Sequence, residues 1–202
     1  MYKLYDFLPS GNSYKVRLLL NLLDIPVTRI NVNILERETR TPEFLKKNPY
    51  GKIPLLEIAP EQFVAESNAI LYYLSQDTEY FPSDKYTQAQ IMQWLFFEQF
   101  NHEPNIATAR YWISILQQPE KHEEQLKHKQ RLGNVALQIM EQHLHNCDFL
   151  VGDRYTIADI GLYAYTHVAE EGGFNLQQYP AILAWLERIK AHPNHILITD
   201  KN

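Results

Sequence analysis

Apolar and polar positions alternate across Lys3-Leu4-Tyr5-Asp6-Phe7 in the manner of a strand. Leu8-Pro9-Ser10-Gly11-Asn12-Ser13 then supplies turn and helix-start residues, and residues 14–24 are leucine-rich with helical spacing. Ile25-Pro26 stops that helix. Residues 27–32 are β-branched enough for a second strand, and Thr41-Pro42-Glu43-Phe44-Leu45-Lys46-Lys47 predicts a short helix with proline in its first turn. Strand, helix and strand in this order read as a β-α-β unit with a right-handed crossover. Residues 53–58 and 62–65 predict a hairpin across Ala59-Pro60-Glu61, and a helix follows from Ser67 to about Ser75.

The texture changes at Tyr80-Phe81-Pro82-Ser83-Asp84, where proline punctuates the chain. Residues 1–79 are expected to form one domain, 80–85 a linker and 86–202 an all-helical domain. Within the second domain the three- and four-residue apolar spacing predicts helices over about 87–116, 120–146, 156–171 and 180–191. The fold class expected is a small α/β domain followed by a helical bundle.

Composition narrows the function classes. Of the 202 residues 45% are hydrophobic, enough for a sizeable core, which excludes disordered and disulfide-scaffold classes. Lys and Arg number 19 against 24 Asp and Glu, a net charge of −5, with no dense basic stripe, so nucleic acid is not an expected partner. Charges interrupt the apolar run at the N-terminus, so neither a signal peptide nor a membrane span is expected there, and the expected location is cytoplasmic. The single cysteine, Cys147, can form neither an intramolecular disulfide nor a two-thiol redox centre, so any redox chemistry must borrow its sulfur. No metal site is expected: His143 and His145 are two apart on a helix and point to different sides, and His192 and His195 flank Pro193 without carboxylates nearby.

Three segments hold candidate chemistry. Ser10 lies in a strand-to-helix turn, where the amides of Gly11, Asn12 and Ser13 and the positive helix end favour an anion, or where the side chain simply caps the helix. Pro54 falls inside a predicted strand. It is either an edge-strand proline or the second residue of a cis peptide that turns the backbone of Ile53 toward a ligand. Glu66-Ser67-Asn68 opens the next helix: Ser67 caps it or also receives a ligand carboxylate, and Glu66 is placed to pair with an ammonium. Trp94, Phe96, Phe97, Phe100, Tyr111 and Trp112 load one long helix with aromatics, expected in core or interface. Glu98, His102, Glu103 and Arg110 on the same helix or its break at Pro104 are expected to be solvated or paired along the helix. Thr156 and Asp159 read as a helix capping box.

Taken in order, Ser10-Gly-Asn-Ser-Tyr-Lys-Val16, Asn48-Pro-Tyr-Gly-Lys-Ile-Pro-Leu-Leu56 and Glu66-Ser-Asn-Ala-Ile-Leu-Tyr-Tyr-Leu74 resemble the cytosolic glutathione transferase superfamily. Thr156-Ile-Ala-Asp159 and Tyr179-Pro-Ala-Ile-Leu-Ala-Trp185 extend the resemblance over nearly the whole chain. Within the superfamily the chain is most similar to bacterial serine- or threonine-type members, theta-like or nu-like. The resemblance implies a thioredoxin-like domain joined to an all-α domain, with glutathione as co-substrate and no other cofactor.

Carried over by residue, the resemblance implies that Ser10 faces the sulfur of glutathione, with Asn12 as a second candidate donor. Ile53 would bind the cysteinyl backbone, presented by a cis Pro54. Glu66 and Ser67 would hold the γ-glutamyl end, and Lys52, or less directly Arg40, would sit near the glycyl carboxylate. His102, Thr108 and Tyr111 are candidates for a hydrophobic co-substrate pocket. The implied activity is attack of activated glutathione on an electrophile or peroxide, a detoxifying transferase. Glutathione-dependent disulfide reduction, or a non-catalytic binding role, stands as the alternative. A homodimer is also implied. A free thiol has a pKa of about 8.5, and only thiolate is the nucleophile. A hydroxyl donor and a helix N-terminus that lower this by about two units supply roughly 3 kcal/mol.

Overall fold

The computed structural model describes residues 1–201. β1 (Tyr2–Asp6) and β2 (Val27–Asn31) run parallel, with Tyr2 opposite Val27 and Asp6 opposite Asn31. The crossover between them is α1 (Gly11–Leu22). Ser10 is the N-cap of α1, so the helix starts three residues before the leucine-rich stretch. It ends where Asp24 adopts a left-handed φ of 52° ahead of Ile25-Pro26. Most of α1 is buried, so its leucines serve more than one neighbour.

After α2 (Pro42–Lys47) the antiparallel pair β3 (Leu55–Ala59) and β4 (Gln62–Ala65) completes a four-stranded sheet in the order β2-β1-β3-β4. The strand expected from residue 53 begins at Leu55, because the Ile53–Pro54 peptide is cis and lies outside the ladder. α3 (Ser67–Leu74) packs against α1. Tyr5, Val32, Phe44 and Leu55 form a buried cluster, with Ile53 and Phe63 packed on it.

The chain divides into two compact units, one of residues 1–76 with the C-terminal segment from Asn194, the other Asp77–Pro193. The C-terminal segment was expected with the helical domain, but α1 and β2 hold it through its carbonyls. Asn21 donates to Asn194 O (2.8 Å), Tyr14 to Ile196 O (2.6 Å), Arg17 to Ile198 O (2.9 Å) and Arg29 to Asp200 O (3.2 Å). Arg17 and Arg29 also share the buried carboxylate of Asp6, at 2.6 and 2.7 Å.

In the second unit the long helix expected over 87–116 is composite. α4 (Lys85–Phe97) passes through a π-helical turn (Glu98–His102) into α5 (Glu103–Arg110), and a second π turn spans Tyr111–Ile115. Pro104 has no N–H to offer the preceding turn, and the wider π turn lies immediately before it. Glu98 and His102 continue the buried face of Ile91 and Leu95 at helical spacing, against α6 (Glu123–Leu144) and α7 (Ile157–Thr166), which corrects the expectation of a solvated polar face. Glu98 and His102 are fully buried and Arg110 nearly so, Arg110 bonding Glu171 at 2.8 Å. α6, α7 and α8 (Pro180–Lys190) complete the unit. α7 stops five residues before its expected end, and 3-10 turns at Ala169–Gly172 and Leu176–Gln178 lead to α8. No helix among the described residues is long and apolar enough to cross a membrane.

Candidate functional site

Sheet register brings the three candidate segments to one edge of the first unit. Tyr5 pairs with Leu55, and Leu55 with Ala65. β1 therefore leaves the sheet toward Ser10 on the same edge where Pro54 leads into β3 and β4 leads out to Glu66. Adjacent strands sit about 5 Å apart, so segments more than forty residues apart in sequence become neighbours.

At the first segment Ser10 does two things at once. Its Oγ accepts the backbone N–H of Ser13 at 3.3 Å, a cap of the ordinary kind. A hydroxyl accepts and donates through different atoms, so capping leaves its proton available. The two readings of Ser10 are therefore compatible. Ser10 and Asn12 are both half-buried, at the positive end of a twelve-residue helix.

The second segment is a loop stitched by Asn48, itself buried. Its side chain donates to Lys52 O (2.8 Å) and accepts from Tyr50 N (3.1 Å). Gly51 takes φ +60°, and a Cβ there would lie 2.5 Å from Arg40 Nη1 and 3.0 Å from Thr39 O. Arg40 in turn donates to Tyr50 O at 3.2 Å, so this exposed guanidinium braces the loop. Lys52 is exposed, while Ile53 is half-buried with its side chain on the core cluster.

At the third segment Ser67 is the first residue of α3 rather than its cap. The cap is Glu66, at φ 69° and ψ 119° with no side-chain capping bond. A non-glycine residue held there is strained by about 1–3 kcal/mol, and such strain clusters at functional sites. It leaves the Glu66 side chain exposed beside the helix start. Ser67 Oγ donates to Asn12 Oδ1 at 3.2 Å, and Lys15 Nζ donates to Ser67 Oγ at 3.2 Å and to Asn68 Oδ1 at 3.5 Å. The first and third segments are thus one hydrogen-bonded network. Sequence reasoning passed over Lys15, Asn48 and Asn68. The available signal was a lysine one turn after Asn12 in a leucine-rich helix.

The co-substrate candidates lie in the helical unit. His102 is fully buried, with Nε2 2.8 Å from Thr166 Oγ1, whose own proton goes to Leu162 O. That enclosure corrects its assignment to a pocket wall: it joins the π turn to α7. Thr108 and Tyr111 are half-buried. A cavity of about 460 Å³ lined by Arg17, Asn21, Arg29 and Ile196 lies at the other end of α1 from Ser10. No group of three or more potential metal ligands occurs among the described residues.

Comparison with known proteins identifies the family and the fold. Residues 1–76 match the family described as glutathione S-transferase, N-terminal domain, and residues 87–193 the corresponding C-terminal domain. The disulfide-bond oxidoreductase YfcG of Escherichia coli is 30% identical over 196 residues, covering 93% of this chain and 89% of its own. A crystal structure of a glutathione S-transferase from Pseudomonas fluorescens Pf-5 superposes with a TM-score of 0.97 at 47% identity, covering 98% and 99% of the two chains. Ure2p in complex with S-hexylglutathione superposes with a TM-score of 0.84 at 25% identity, covering 96% and 95%. With both of its domains matched in order and its fold shared throughout, the chain belongs to the glutathione S-transferase family.

Proposed function

We propose that this protein binds glutathione along the sheet edge formed by Ser10, Ile53–Pro54 and Glu66–Ser67, and activates its thiol for attack on an electrophile or peroxide. The observation that carries the reading is the convergence of these segments, with the starts of α1 and α3 joined through Asn12 and Ser67. Ser10 donates its hydroxyl proton to the sulfur while its oxygen stays on Ser13 N–H. Asn12 is the second donor. The backbone of Ile53 takes the cysteinyl residue. The exposed Glu66 carboxylate meets the γ-glutamyl ammonium, and the start of α3 meets the neighbouring carboxylate. Lys52 meets the glycyl carboxylate, with Arg40 supporting the loop that carries it. The thiol proton leaves to solvent as the thiolate is stabilised, and no protein base is required. The thiolate then attacks the electrophilic carbon and displaces its leaving group, halide from an aryl halide, giving a thioether. On a hydroperoxide it attacks oxygen, the O–O bond breaks to release the alcohol, and a second glutathione converts the resulting sulfenic acid to the disulfide with loss of water.

Two supports are independent of the geometry. The family is that of glutathione S-transferases, and a solved neighbour carries S-hexylglutathione. The similarity to YfcG favours one alternative, in which bound glutathione reduces disulfides. Calorimetric titration with glutathione, followed by turnover on aryl halides, hydroperoxides and small mixed disulfides, tests both. The transferase reading predicts thioether formation as the fastest reaction, the alternative predicts disulfide reduction, and absence of glutathione binding at millimolar concentration overturns both. We also propose a homodimer, consistent with Phe96 and Phe100 standing 62% and 83% exposed. Sedimentation as a 23.8 kDa monomer at micromolar concentration overturns it.

A further inference from the structure

Ser10 is delivered by a turn that its own sequence holds poorly. The Ser10 N–H closes the turn on Phe7 O at 2.8 Å, and Pro9 is the third residue of the four. Proline at that place pushes the residue before it out of the helical region that the commonest turn requires. It also supplies no N–H, so the Leu8–Pro9 peptide can hydrogen-bond only through Leu8 O. That carbonyl accepts from Arg17 Nη2 at 2.9 Å. Arg17 stands about two helical turns beyond Ser10 on α1 and is only 3% exposed. Its fork is fixed from other sides as well. Nη1 donates at 2.6 Å to Asp6 Oδ1 at the end of β1, Nη2 also donates at 2.9 Å to Ile198 O, and the guanidinium carbon lies 5.7 Å from the centre of the Tyr14 ring. One rigid planar group therefore joins the end of β1, the turn and the C-terminal segment, from a base on the helix that Ser10 caps.

We infer that Arg17 is a positioning residue for thiol activation: by holding Leu8 O and Asp6 on one guanidinium it fixes the Phe7–Ser10 turn and aims the Ser10 hydroxyl at the sulfur of glutathione. The inference rests on the proposed glutathione site and deepens it. Aim matters because a hydrogen bond weakens steeply once its donor turns away from the acceptor. Asp6 does not depend on Arg17 alone, since Arg29 Nη2 pairs with its other oxygen at 2.7 Å. A chain without the Arg17 fork keeps a paired carboxylate and loses the brace on the turn. Arg17→Lys keeps the charge and removes the fork, because one ammonium replaces two nitrogens that divide three oxygens between them. Charge and position are thereby separable by experiment.

The test compares wild type, Arg17→Lys, Arg17→Met, Ser10→Ala and the double variant Ser10→Ala with Arg17→Lys. Two quantities are read: the pH dependence of thiolate absorbance and of kcat/KM with glutathione, and hydrogen exchange at the Ser10 amide. Misaiming one charge-assisted donor is worth about one pKa unit, or about a tenfold loss of thiolate at neutral pH. Both Arg17 variants are expected to show that rise in the thiol pKa, with a loss of kcat/KM that disappears at high pH. Their Ser10 amide is expected to exchange about tenfold faster as the turn loosens. Affinity for S-methylglutathione, which has no thiol to ionise, reports binding separately and should change less than about threefold. Adding Arg17→Lys to Ser10→Ala should raise the thiol pKa no further. A wild type that binds no glutathione removes the site reading and this inference with it. A wild type that binds, with an Arg17→Lys that keeps its thiol pKa, overturns the inference alone and leaves Arg17 acting through its charge or packing. An additive double variant overturns the route through Ser10. Should Arg17→Met not fold, Arg17→Lys, which leaves two cations beside Asp6, carries the same test.

Discussion

The indole N–H of Trp185 donates to Oδ1 of Asp159 at 2.9 Å, with both side chains wholly buried. Asp159 also accepts from Leu150 N (2.9 Å) and, through Oδ2, from Thr156 N (2.9 Å) and Thr156 Oγ1 (3.2 Å). One carboxylate thereby ties the start of α7, the segment before it and α8. Thr156 Oγ1 accepts Ala158 N in the same turn. The box that the sequence suggested is present, and it extends to Trp185 and Leu150, which the local motif does not contain.

Asp159→Ala leaves three buried N–H groups without that acceptor, and each such loss costs about 1–3 kcal/mol. The expected destabilisation is roughly 3 to 5 kcal/mol in urea unfolding, among the large effects known for single substitutions. A loss below 1 kcal/mol would show that water or a rearranged side chain replaces the carboxylate.

Burial pushes the Asp159 carboxyl up to about 6 from an ordinary 3.8, against the pull of its donors. A group whose pKa rises on folding binds its proton more tightly in the native state. Its contribution is full below the unfolded value and is lost as pH rises through about 6. Native stability should therefore carry a component that falls by about 3 kcal/mol between about pH 4 and pH 6, at about 1.36 kcal/mol per unit. Asp159→Asn should flatten that limb. Glu57, beside Lys3 and Tyr5, and Asp84, which caps α4 through Thr87, are held below the usual carboxylate range. Their contributions have the opposite sign and are lost as pH falls through those lowered values. Equal slopes for wild type and Asp159→Asn across the upper window would contradict the assignment.

Gly51→Ala places a Cβ against Arg40 at a left-handed φ of +60°. The backbone conformation alone costs about 1–2 kcal/mol, and the loop carrying Lys52 and Ile53 has to shift. Reduced stability and weaker glutathione binding are expected together. Arg40→Ala in the same chain should restore part of both by clearing the nearest clash, and a fully additive double mutant would argue against it.

Glu66 sits at φ 69°, where glycine is at ease. Glu66→Gly should relieve about 1–3 kcal/mol of strain and lose up to about 1 kcal/mol to chain entropy, leaving stability unchanged or slightly raised. Glutathione affinity should fall with loss of the carboxylate. Thermal unfolding and calorimetry read the two quantities separately, and a variant that binds glutathione as wild type does removes Glu66 from the site.

Ser10→Ala removes a cap and a donor together. About 1 kcal/mol of stability is expected to go with the Ser13 N–H bond, while turnover at neutral pH falls and recovers at high pH. Asn12→Ala should share the second effect without the first. An unchanged pH-rate profile in both variants leaves the N-terminus of α1 as the source of thiol activation.

What the sequence determined by itself was whatever local spacing encodes. Alternation marked β1, the leucine periodicity marked α1, prolines and glycines marked the breaks, and Thr156 with Asp159 marked the start of α7, because each depends on backbone preferences of a few adjacent residues. Its ordered motifs also revealed the family. The tertiary structure decided what depends on partners distant in the chain. Ser67 accepts from Lys15 and donates to Asn12 because α1 and α3 pack together, and no periodicity contains that pairing. His102 and Glu98 are buried because the helix face that carries Ile91, Leu95 and Ile106 packs against α6 and α7, a contact that the polarity of these two residues does not announce. The C-terminal segment joins the first unit because four side chains of α1 and β2 bond its carbonyls. Backbone carbonyls are the same in every sequence, so that attachment leaves no pattern in the residues it holds.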